Sequence, residues 1–143
     1  KECCNKNQYA PNEFVWNIKQ SPGACVQATE SVRLTMRTNG ILHCGLVLTF
    51  GRSGLVVAGQ EPHQIVHVPA QEIRGADVCG AGDTVMATIM SSLAVDSDPT
   101  WWEALKGAAI EAAKAANIAV HKRGVYVVTR GDMGWPMTPV SKT

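Results

Sequence analysis

The chain has 143 residues, is 45% hydrophobic and 17% charged, and carries a formal net charge of +1. That length suffices for one domain with its own core, and the composition is that of a soluble globular protein. Lys and Arg are nowhere concentrated, which argues against nucleic acid or an anionic membrane as partner, and no apolar run reaches the roughly 20 residues that span a bilayer.

Residues 1–12 are polar and irregular, with Asn5, Asn7 and Pro11. The chain starts at Lys1 with neither an initiator Met nor a signal peptide, and it reads as a piece of something longer. From Ala24 to Arg37, the apolar positions Val26, Val32, Leu34 and Met36 predict a moderately amphipathic helix closed by Asn39-Gly40. Cys44 to Phe50 is nearly continuous in apolar residues and predicts a strand buried on both faces of a sheet. Gly51-Arg52-Ser53-Gly54 then reads as a turn and Leu55 to Ala58 as a second strand, so the pair forms a hairpin.

Gln64 to Pro69 alternates weakly and gives a third strand. His63 and His67 would share one face of it, with no third ligand in view, so a metal site is not expected. Helices follow from Ala81 to Val95 and from Trp101 to Lys122, the second announced by Asp98-Pro99-Thr100. Lys106, Glu111 and Lys114 interrupt the Ala-rich stretch from Ala104 to Val120, which is therefore a soluble helix. Trp101 and Trp102 at its start are expected to pack on the core rather than stack on a ligand. Val125 to Thr129 is β-branched and predicts a short closing strand.

There is no internal repeat and no linker, so residues 1–143 read as one α/β domain, a sheet with covering helices. The five cysteines, Cys3, Cys4, Cys25, Cys44 and Cys79, are odd in number and lack a framework spacing. Reduced thiols in a cytoplasm fit them better than disulfides or zinc.

The segment richest in chemistry is Asp77-Val78-Cys79-Gly80-Ala81-Gly82-Asp83, followed by Thr84-Val85 and an apolar helical run. Three small residues make a tight turn that ends in a carboxylate at the mouth of a helix. Exposed N–H groups there, backed by the helix dipole, form an anion site. A carboxylate beside it could take the proton of a hydroxyl attacking the bound anion, which suggests phosphoryl transfer to an alcohol. The plain structural alternative is a tight loop in which Asp83 is only an N-cap.

In order, the chain has Thr49-Phe50-Gly51-Arg52-Ser53-Gly54 after an apolar strand, then Asp77 to Asp83, then an Ala-rich helix ending in Lys122-Arg123-Gly124. That order resembles the C-terminal half of a ribokinase-like (PfkB family) sugar kinase, from about Asn12 to Thr129. Within the family, Thr84-Val85 and the segment Ala116 to Gly124 are most similar to D-glycero-β-D-manno-heptose 7-phosphate kinases. Those enzymes feed ADP-heptose synthesis for lipopolysaccharide.

The resemblance implies the C-terminal part of a ribokinase-like three-layer fold, with the N-terminal half of the kinase domain absent. It makes Asp83 the catalytic base and Gly80, Ala81 and Gly82 the anion hole that stabilises the transferred phosphoryl group. It puts Thr49, Gly51 and Gly54 in the nucleotide-binding strand and turn, although each also reads as an ordinary strand or turn residue. It assigns Asp77 and the carbonyl of Cys79 to a monovalent-cation site such as one for K+, and Asn12 to the phosphates and Mg2+ of ATP. Two positions depart from the pattern. Val15 stands where the family has a Glu, and Ala113 where it has a polar residue near the adenine. Asn117, one turn after Ala113, is the nearest residue that could replace the latter.

The implied activity is ATP-dependent phosphorylation of a sugar or sugar phosphate. A non-catalytic nucleotide-binding or assembly module is the alternative that Val15 and Ala113 favour. Another ribokinase-like kinase, acting on a nucleoside or vitamin alcohol, would share the catalytic residues. The strand at Cys44 to Phe50 is expected to leave an open sheet edge, to be covered by a further copy or a partner chain.

Overall fold

Pro22 opens the first helix, α1 (Pro22–Thr38), with Ser21 extended before it; proline's fixed φ and missing N–H cost nothing at a helix start. The computed structural model describes residues 21–41, 44–71, 77–95 and 100–135, so the readings made on Asn12 and Val15 lie outside the described residues. At the other end of α1 the amide of Gly40 donates to Arg37 O and that of Ile41 to Met36 O. This is a Schellman closure, and Gly40 takes the left-handed φ of +82° it requires.

The buried face of α1 differs from the expected one. Cys25 and Thr29 are fully buried and Arg33 nearly so, a line at spacing four, while Val32 and Leu34 point to solvent, Leu34 at 64% exposure. Small Cys25 and Thr29 let the helix lie close on Val56, with Phe50 and Ile65 packed around the contact. Arg33 can go inward because every direction of its guanidinium is answered. It donates to Glu30 Oε1 and Oε2 at 2.7 and 2.6 Å, to Gly59 O at 3.3 Å and to Glu61 O at 2.7 Å. A pattern reading that sends every arginine outward misses this face.

Three strands form an antiparallel sheet in the order β1 (Leu46–Thr49), β2 (Leu55–Ala58), β3 (Ile65–Val68). Thr49 pairs with Leu55 and Leu55 with Val68, so these three residues share one end of the sheet. The hairpin and the third strand stand as expected, but the doubly buried strand is β2 rather than β1. All four residues of β2 are buried, whereas β1 is half-buried with Thr49 exposed. The reason is position: β2 is central, with Val56 facing α1 and Leu55 and Val57 facing the other helices. Among the described residues β1 has one neighbour and stands at an edge.

Helices α2 (Ala81–Val95) and α3 (Trp101–Val120) pack on each other, and α3 lies on the sheet face opposite α1. The result is three layers, helix, sheet and helix pair. The seam is made of Val85 and Ile89 of α2 against Leu105, Ala108, Ala109 and Ala112 of α3. Alanines let the backbones approach closely. Trp101 sits over Gly45 and Trp102 against Gly59, where any side chain would collide with the rings; Trp102 packs on the core as expected, whereas Trp101 stays 40% exposed at the rim.

Val125 to Thr129 does not join the sheet, and Val127 is 78% exposed. Its β-branched residues have no strand beside them to pair with among the described residues. The segment folds around Asp132 instead, whose carboxylate accepts from the Thr129 amide at 2.8 Å, the Thr129 hydroxyl at 2.7 Å and the Tyr126 hydroxyl at 3.1 Å. Trp135 then donates from Nε1 to Glu111 on α3 at 3.3 Å. No helix among the described residues is long and apolar enough to cross a membrane.

Candidate active site

Gly80, with φ +75°, turns the chain into α2. Its carbonyl accepts the amide of Thr84 at 2.9 Å, the first bond of the helix, and also the Thr84 hydroxyl at 2.9 Å. Gly80 is therefore the N-cap, and Asp83 lies three residues inside, on the first turn. The simple N-cap account of Asp83 fails on this geometry. The Asp83 side chain is exposed and has no hydrogen-bond or ion-pair partner among the described residues. The amides of Gly82 and Asp83 have no backbone acceptor among them either, the usual state of a helix start, whereas the amide of Ala81, expected in the anion hole, is taken up by Val78 O at 3.2 Å. Free amides and a free carboxylate thus face solvent from one helix end, with the positive pole of the dipole behind them.

Asp77 is held very differently. Its Oδ1 accepts the Cys79 amide at 3.1 Å, its Oδ2 accepts the Gly124 amide at 2.8 Å, and its own amide donates to Val120 O at 3.2 Å. The Gly124 and Cys79 N–H groups, in that order, hold its carboxyl below the usual carboxylate range. Cys79 is exposed with a free thiol, Cys44 is half-buried and Cys25 buried, all three unpaired. The carbonyl of Cys79 receives no backbone hydrogen bond among the described residues.

The hairpin residues divide. Thr49 is exposed at the end of β1, and Gly51, at φ +55°, has nothing near its side-chain position, so that flank is open. Gly54 has φ +90°, and a side chain there would collide with Val68 O and the Ala70 amide. Its close approach is to the chain leaving β3, a requirement of the fold itself. His67 holds the same turn, with Nε2 2.6 Å from Ser53 O. His63 is exposed, and no three His, Cys, Asp or Glu side chains converge on a metal position among the described residues.

Asn117 donates from Nδ2 to Gln71 Oε1 at 2.6 Å, while its Oδ1 is buried without a partner. Ala113 is half-buried and packs against the apolar cluster. Gly54 touches Ala70, Gln71 reaches Asn117, and Val120 on the next turn of α3 reaches Asp77. These contacts link the hairpin turn, the end of α3 and the loop before α2 in series. Gln71 and Gly124 are the members that sequence reasoning missed as partners. Gln71 carries no signal in the sequence, and Gly124 stood only in the Lys-Arg-Gly run after the long helix.

Compared with solved structures, the chain superposes on ribokinase from Thermotoga maritima with a TM-score of 0.59, over 73% of this chain and 33% of that one, at 19% identity. The fold is ribokinase-like. Among sequence relatives of this ribokinase-like chain, a bifunctional protein HldE from Nitrobacter hamburgensis is 38% identical over 94 residues, 66% of this chain and 18% of the relative. Another bifunctional protein HldE, from Bradyrhizobium diazoefficiens, is 32% identical over 135 residues, 94% of this chain and 24% of the relative. The expected resemblance to a ribokinase-like carbohydrate kinase is borne out by both comparisons. The chain spans less than a quarter of the length of these two relatives. No family model matches it.

Proposed function

We propose that the chain is the nucleotide-binding and catalytic part of an ATP-dependent carbohydrate kinase, acting on a sugar phosphate of the heptose 7-phosphate type. The observation that carries this reading is the start of α2, where an unpaired carboxylate and unpaired amides share one exposed helix end. In this reading Asp83 accepts the proton of the sugar hydroxyl as its oxygen bonds to the γ-phosphorus. The bond from that phosphorus to the β-bridging oxygen breaks, and ADP leaves. The amides of Gly80 and Gly82 face the charge that grows on the transferred group, while that of Ala81 is engaged by Val78 O. Thr49 and Gly51, on the open side of the hairpin, border the nucleotide, with Asn117 at its far end.

In this reading Mg2+ is part of the substrate, MgATP, and Asn12, which the resemblance assigns to it, lies outside the described residues. Asp77 and the carbonyl of Cys79 suit a monovalent cation such as K+. Each carboxylate oxygen of Asp77 accepts a single backbone amide and keeps a free lone pair. Such an ion would supply positive charge next to the anion-binding turn.

A second reading is favoured by Ala113, which is packed on the core where the family has a polar residue near the adenine. It is a nucleotide-binding module without turnover. Calorimetric titration with MgATP, followed by ADP release over a panel of sugar phosphates, separates the two. Binding with turnover is the expected outcome, binding alone supports the module, and no binding overturns both.

A further inference from the structure

We propose that Asp77 is a positioning residue that clamps the turn after α3 to the loop feeding α2, so that the anion-facing amides take their place from the end of α3. What those amides hold rests on the kinase reading; the clamp itself rests on geometry alone. Asp77 makes three backbone hydrogen bonds, one local, to Cys79, and two to residues more than forty positions away, Val120 and Gly124. The local one folds Val78 and Cys79 back so that Gly80 can enter its left-handed conformation. The distant pair brackets the end of α3 on both sides of the turn His121 to Arg123.

Two further facts make Asp77 the determinant of this junction. Burial does not hold the loop down, since Val78 is 69% exposed and Cys79 lies open to solvent. The junction also continues past the carboxylate. Gly124 sits at φ +72°, and the following Val125 places Cγ1 in ordinary contact range, 3.5 Å, of the side-chain position of Gly80. A displacement of the post-α3 turn therefore reaches Gly80 by two routes, through the carboxylate and through Val125. Hydrogen bonds to a charged acceptor are the stronger kind, which suits a junction with little apolar cover.

Asp77→Asn and Asp77→Ala test this in 15N-resolved spectra, recorded in a buffer without K+ so that no bound cation contributes. Asparagine keeps an acceptor for Cys79 but turns an NH2 group toward the Gly124 amide, which cannot bond to it. In both variants the Gly124 amide should exchange about tenfold faster, and the resonances of Gly80, Gly82 and Asp83 should shift while those of α1 and β2 stay. Titration with MgATP should then show an affinity about tenfold weaker in Asp77→Ala. Faster exchange at Gly124 with unmoved resonances at Gly80 to Asp83 overturns the clamp, as does unchanged exchange. If the wild-type chain shows no MgATP-induced shift at Gly82 and Asp83, the kinase reading fails, and the ligand-free spectra still decide the clamp.

Discussion

Asp83 and Gly54 have opposite relations to the fold. Asp83 bonds to nothing among the described residues, so its removal should leave stability alone. In an active preparation, Asp83→Asn is expected to lower kcat roughly 10²- to 10⁴-fold, with the thermal midpoint unchanged in calorimetry. Gly54, by contrast, is fixed by the backbone leaving β3. Gly54→Ala should destabilise the protein by about 2 kcal/mol or more, through both its φ and the collision with the Val68 carbonyl, read as a lowered urea midpoint. The placement of Asp83 was legible because it is local, an acid at a fixed offset from a glycine turn. Gln71 was not, because its partner Asn117 lies 46 residues away and no local pattern pairs them.

Among the elements, α1 shows where periodicity misleads. Its start at Pro22 precedes the expected Ala24 by two residues, while its C-terminal end was legible from Asn39-Gly40, since caps are short-range. Its inward face was not, because that face is polar in part and is set by carbonyls of the β2–β3 turn. Arg33→Ala should cost about 2–4 kcal/mol in denaturant unfolding, by taking the donor from the buried Gly59 carbonyl and emptying a filled site. Leu34→Glu should change stability by less than about 0.5 kcal/mol, although a pattern reading would place Leu34 in the core. The reverse ranking would show that α1 is rotated from the face described. The Val125 to Thr129 stretch erred in the opposite sense. Its strand propensity is real, yet a strand needs a neighbour, and the network around Asp132 took its place.

Over the whole molecule, the segment after α3 is returned to that helix by Asp132 and Trp135. The Thr129 hydroxyl and then the Thr129 amide lower the Asp132 pKa. A carboxyl with a depressed folded pKa stabilises above its unfolded value, near 4, and that contribution disappears as pH falls through the folded one. Tyr126, raised chiefly by its hydrogen bond to Asp132, contributes below its unfolded value of about 10, and its share is lost as pH climbs through the raised one. The indole N–H resonance of Trp135 should therefore hold its position through neutral pH and move toward its free value below about pH 4. In Asp132→Ala it should start at that free value. A sheet with covering helices was itself legible from the apolar runs and the Ala-rich helix, and its three layers are those the resemblance implied.

The alanine seam between α2 and α3 also bears on how the chain reaches its native state. Ala108, Ala109 and Ala112 have no rotamers to freeze when they meet Val85 and Ile89. Their partners are close neighbours along the sequence, which keeps contact order low. This helical hairpin is thus suited to condense early, alongside the still more local β2–β3 hairpin.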